Sequence, residues 1–89
     1  MENLYSAYLA AVKSFIAGRN WDCEHEDWTF SQWWDFSSKS GHVRLISSKG
    51  RVFKVEVYKT HAHTDHQGKS EMVISKRDFE ELFSLLSGN

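Results

Sequence analysis

Apolar residues recur at helical spacing from the start of the chain. Tyr5, Leu9, Val12 and Ile16 lie four, three and four positions apart, and Tyr8 and Phe15 widen the same stripe. This pattern predicts an amphipathic helix over residues 4–17. Asn3 carries a side chain that can cap its start, and Gly18 has the backbone freedom to end it. The last stretch repeats the pattern: Phe79, Leu82, Phe83 and Leu86 follow i, i+3, i+4, i+7 and predict a helix over 76–86. Ser75 is its N-cap, Asp78 stands where a capping box has Glu, Ile74 can staple onto Phe79, and Gly88 closes the element.

Between the two helices the period falls to two. Phe53, Val55 and Val57 alternate with Lys54, Glu56 and Tyr58, which predicts a strand with one buried face. Residues 42–47 are its partner across the turn Ser48-Lys49-Gly50. Residues 71–74 predict a third strand and 32–37 a fourth, which turns at 38–41 into the next. Residues 19–30 show neither period and are expected to form an irregular loop with one helical turn. The chain therefore reads as one compact α+β domain over 1–89. Its expected architecture is a two-layer sandwich: N-terminal helix, antiparallel meander of three or four strands, C-terminal helix.

Composition narrows the class. With 89 residues, the chain is too short for a Rossmann or TIM-barrel enzyme. At 26% charged and 40% hydrophobic it is neither disordered nor rich in membrane spans. Glu2 stands where a signal peptide has basic residues and Lys13 interrupts the apolar stretch, so the opening is expected to be a helix of the mature domain, and a lone thiol at Cys23 fits a cytoplasmic location. Cys23 is the single cysteine, which excludes an internal disulfide, and the acidic neighbours Asp22 and Glu24 disfavour a reactive thiolate. No nucleophile elbow or glycine-rich phosphate loop is present, and neither enzymatic activity nor a cofactor is expected.

The net charge of −1 conceals segmentation. Residues 20–38 carry Asp22, Glu24, Glu26, Asp27 and Asp35 without a Lys or Arg, whereas nine basic residues in 39–77 face only Glu56, Asp65 and Glu71. All four tryptophans, Trp21, Trp28, Trp33 and Trp34, lie inside the acidic segment, with Phe30 and Phe36 among them. If Trp34 and Phe36 point to the core of a strand, Trp33 points away. Trp21, Glu24, Glu26, Asp27, Trp28, Trp33 and Asp35 are accordingly the expected partner-binding surface. Tryptophan supplies anchors there, and the acidic rim suits a basic target, such as a nucleic-acid-binding enzyme or complex. An inhibitor or adaptor of the kind phages and mobile elements encode fits this size and look. A homodimer through an open sheet edge is a further expectation.

Two other constellations point to different chemistry. Arg44, Lys49, Arg51, Lys54, Lys59 and Lys69, with Tyr58 for stacking, outline a basic sheet face that suits single-stranded nucleic acid. The run His61-Ala62-His63-Thr64-Asp65-His66 resembles the His-x-His-x-Asp-His signature of the metallo-β-lactamase superfamily. That resemblance implies His61 and His63 on one metal ion, and Asp65 and His66 on a second. The family's fold is far larger than this chain, and no histidine follows His66 to complete its ligands, so its hydrolase activity is not expected. A simpler site for Zn²⁺ or Ni²⁺ on His61, His63, Asp65 and His66 remains, beside a solvated hairpin end with Gly68 in its turn and a pH-responsive His cluster. Binding by this cluster predicts histidine NMR shifts that saturate at stoichiometric zinc; their absence eliminates the metal site.

Overall fold

The computed structural model describes residues 3–59 and 69–88. Helix α1 (Leu4–Ile16) is followed by strands β1 (Asp22–Asp27), β2 (Ser31–Ser38), β3 (Gly41–Ser48), β4 (Val52–Tyr58) and β5 (Ser70–Ile74), and by helix α2 (Lys76–Leu86). The strands form one antiparallel meander in sequence order. This is an α+β fold whose described residues form five strands, where three or four were expected. The addition is β1, which occupies the stretch expected to be a loop with a helical turn. Its residues Asp-Cys-Glu-His-Glu-Asp are all exposed. No buried face imprints an alternation on them, and the strand exists because it ladders onto β2.

Both helices lie on one face of the sheet. Leu9, Val12 and Ile16 from α1 and Phe79, Leu82 and Leu86 from α2 are buried against Phe36, Val43, Leu45, Phe53, Val55, Val57 and Ile74. Tyr5, Tyr8, Phe15, Trp34 and Phe83 border this core as partly buried side chains. Trp34 stands edge-on to Phe79 and Phe83 at centroid distances of 5.6 and 5.7 Å. Such T-shaped contacts match the positive ring edge to the negative face.

Two turns set the register of the middle strands. Arg51 N–H donates to Ser48 C=O at 3.0 Å, and Lys49 (φ 55°) and Gly50 (φ 68°) both take positive φ, as a type I′ turn requires. At the other end Gly41 (φ 145°) starts β3, and a Cβ there would overlap the Tyr58 carbonyl oxygen. Only glycine allows β3 and β4 to approach at that point.

The helix starts follow the sequence signals, with one change. Asn3 Oδ1 accepts from Tyr5 N–H at 2.8 Å. Ser75 Oγ accepts from Asp78 N–H at 3.1 Å, the first half of a capping box. The second half differs. Asp78 is one methylene shorter than the usual Glu, and Ser75 N–H donates instead to the Tyr5 hydroxyl at 3.0 Å. That hydroxyl in turn donates to Asp78 Oδ2 at 2.5 Å. A side chain of α1 thus completes the cap of α2.

The Tyr5 hydrogen bond, ahead of that from Ser75, holds the Asp78 carboxyl below its ordinary range. A carboxylate with a depressed folded-state pKa contributes stability above its unfolded pKa of about 3.9, and the contribution disappears as pH falls through the folded value. Tyr5→Phe is expected to lower unfolding free energy by about 1–2 kcal/mol at neutral pH, with a smaller difference in acid. Urea unfolding at the two pH values measures both.

Candidate functional site

The strand register arranges the helix-free face of the sheet in rows. One row crosses all strands as Glu24, Asp35, Arg44, Glu56 and Glu71. The next holds Glu26, Trp33, Ile46, Lys54 and Val73. Cross-strand neighbours in such rows interact directly, and like charges side by side need compensation.

Arg44 supplies it at the centre. Its Nε lies 2.5 Å from Asp35 Oδ1 and its Nη1 3.5 Å from Glu56 Oε1, so the planar fork spans carboxylates on both neighbouring strands. The guanidinium sits 4.4 Å from the centre of the Trp33 ring. Lys54 and Lys69 each lie between Glu56 and Glu71, with Nζ–O distances of 3.0–3.6 Å. These lysines hold the Glu71 carboxyl below its usual range, Lys54 first. Tyr58 donates its hydroxyl to Glu56 Oε1 at 3.0 Å; burial, then this bond, pushes the phenol pKa up.

The expected basic sheet face is therefore not a free cationic surface. Arg44, Lys54 and Lys69 are committed to carboxylates, and Tyr58 is only 3% exposed, with its ring unavailable for a base to stack on. Lys49, Arg51 and Lys59 are exposed but stand outside this network, Lys49 and Arg51 at the β3–β4 turn and Lys59 after β4. Counting Asp22, Glu24, Glu26, Asp35, Glu56 and Glu71 against Arg44, Lys54 and Lys69, the described face carries −3.

The acidic tryptophan segment divides as well. Trp21 turns inward: its Nε1–H donates to Ile16 C=O at 3.1 Å and its ring lies 5.8 Å from Phe15. Asp35, 8% exposed, is the partner of Arg44 and no part of an open rim. Both leave the surface on which sequence alone placed them. Trp33 does face away from the core, as strand parity requires, and its Nε1–H donates to Ser31 Oγ at 3.0 Å. Glu24, Glu26 and Asp27 remain exposed on β1, with the first two on the same face as Trp33.

The aromatic surface that remains is concentrated at one hairpin tip. Trp28 N–H donates to Ser31 C=O at 2.8 Å and closes the β1–β2 connection. Lys49 N–H donates to Phe30 C=O at 3.2 Å and ties this tip to the β3–β4 turn. Trp28 is 55% exposed and Phe30 66%. The Trp28 ring lies 5.9 Å from that of Trp33, and Lys49 Nζ is 4.9 Å from the Phe30 ring centre. Trp28, Phe30 and Trp33 line one open groove. Phe30 belongs to this surface although the sequence reading left it out of the site; its signal is the Trp-Thr-Phe-Ser run between two strands, visible only once β1 is known to be one.

The remaining chemistry is sparse. His25 stacks on Trp34 at 4.9 Å, on the helix side of the sheet. Desolvation, then the charges of Asp35 and Glu24, raises the Cys23 thiol pKa, which keeps the thiolate scarce. His61, His63, Asp65 and His66 lie outside the described residues; among those described, no cluster of His, Cys, Asp and Glu could hold a metal ion. No described helix is long and apolar enough to cross a membrane. Comparison with protein-family models, curated proteins and solved structures finds no match to this chain.

Arg44→Met is expected to leave Asp35 without its counter-charge in a nearly buried position and to lower stability by about 3 kcal/mol. The shift appears as a lower urea midpoint with an unchanged slope.

Proposed function

We propose that this protein is a non-enzymatic docking module, of the inhibitor or adaptor kind, that binds a larger protein through the β1–β2 hairpin. The observation that carries this reading is the exposure of Trp28 and Phe30 side by side on one tip, next to an exposed strand with four carboxylates. Large rings exposed together mark contact surfaces more often than single exposed apolar residues do. Trp28 is the anchor; Trp33 and Phe30 flank it; Glu24, Glu26 and Asp27 supply the negative rim. Such a rim accelerates encounter with a basic target and rejects acidic ones. Occupying a basic site that otherwise takes nucleic acid would make the module an inhibitor by steric and electrostatic blocking.

The double variant Trp28→Ala, Glu26→Lys leaves the buried core and the Arg44 network untouched, so folding is expected to persist. Loss of a central tryptophan typically costs about 2 kcal/mol or more of binding, roughly a thirtyfold drop in affinity before the charge reversal adds to it. The check is co-purification of the partner held by the unaltered protein, with circular dichroism to confirm the fold. Undiminished retention by the variant overturns the docking site.

A further inference from the structure

The outer edge of the sheet on the docking side is β1, and its backbone decides a question the side chains leave open. Trp28 N–H donates to Ser31 C=O, so Trp28 and Ser31 form a hydrogen-bonded pair at the end of the β1–β2 register. Antiparallel pairs alternate between hydrogen-bonded and non-hydrogen-bonded. Glu26, Glu24 and Asp22 therefore direct their N–H and C=O groups to β2, whereas Asp27, His25 and Cys23 direct theirs to the open edge. The side chains divide the same way: Asp22, Glu24 and Glu26 share the face that carries Trp33, while Cys23, His25 and Asp27 lie on the helix side.

With no strand paired to its outer side among the described residues, an edge of this length is a template for another strand. Its charge selects the occupant. A second copy of β1 would bring Asp22, Glu24, Glu26 and Asp27 against the same four carboxylates, with no basic residue in either strand. Like charges directly opposite destabilise a strand pair, which disfavours self-pairing at this edge. Phosphate backbones meet the same repulsion. A strand with lysine or arginine at every second position meets complementary charge, each basic side chain lying beside Asp22, Glu24 or Glu26. One further along reaches Trp28, where a cation can stack on the ring.

We infer that the partner binds by strand addition: an extended, alternately basic segment pairs with β1 as a sixth strand, hydrogen-bonded to the backbone of Cys23, His25 and Asp27. Backbone bonding supplies affinity in such complexes and the alternating side chains supply selectivity. The inference rests on the docking reading above and specifies the partner's chemistry at that same surface.

The probe is a capped peptide that alternates lysine with threonine and valine, added to the unaltered full chain. Two controls accompany it: one of equal composition with its lysines in a single block, and one N-methylated along its backbone. Strand addition predicts slowed amide hydrogen exchange at Cys23, His25 and Asp27, with no matching change at Glu24 and Glu26, whose amides are already in the ladder. It also predicts roughly tenfold or greater loss of affinity on N-methylation, since several backbone bonds disappear while every charge remains, and weaker binding of the block peptide. Equal binding of the N-methylated peptide, absence of binding, or unslowed exchange at the edge amides overturns strand addition. The two ideas fail separately. Strand addition fails alone if the peptide test is negative while Trp28→Ala, Glu26→Lys still releases the partner. The docking reading fails if that variant keeps it.

Discussion

Arg44 stands where this sheet has to satisfy itself. Both helices cover one face, and on the other the register sets Asp35, Glu56 and Glu71 in a row with one arginine among them. Without a cation on β3 between them, Asp35 on β2 would be desolvated with no counter-charge and Glu56 on β4 would keep only its lysines. The guanidinium reaches both carboxylates at once, and Trp33 covers it. Lys54 and Lys69 continue the same compensation towards β5. The three basic side chains on this face, Arg44, Lys54 and Lys69, are thereby consumed by its carboxylates, which is why a face built from an apparently cationic segment is acidic on balance.

That consumption has a consequence at the other edge. The basic side chains of the network stop at Arg44, and no Lys or Arg lies within β1. Its carboxylates remain exposed and its outward backbone groups unpaired among the described residues. Charged residues are a common device for keeping edge strands from pairing with copies of themselves. Here the same charges that repel a copy favour a basic strand. The edge therefore discriminates by sign, and the aromatic tip beside it provides the apolar contact that charge alone lacks.

Much of the scaffold was legible from local pattern. Leu9, Val12 and Ile16 in α1 and Phe79, Leu82 and Leu86 in α2 repeat at helical spacing, and Phe53, Val55 and Val57 alternate because one face of β4 is buried. Caps and turns at Asn3, Ser75, Lys49 and Gly50 carry their own chemical signals. β1 was not legible, since a strand exposed on both sides has no period to display. The candidate site was legible only in part. Parity correctly set Trp33 against Trp34, and the acidic run identified Glu24 and Glu26. The inward turn of Trp21, the pairing of Asp35 and the exposure of Phe30 were not legible, because they depend on Ile16 at the end of α1, Arg44 on β3 and Lys49 at the β3–β4 turn.

The sequence by itself determined the α+β class, both helices, the turn chemistry and the concentration of tryptophan within an acidic stretch. These follow from periodicity and residue type, which act over a few positions. Only the tertiary structure decided that β1 is an edge strand, that Arg44 belongs to Asp35 and Glu56, and that Trp28 and Phe30 are the rings left in solvent. Cross-strand register is a long-range quantity: moving a strand by one residue exchanges its two faces, and nothing within the strand alone determines what will lie opposite.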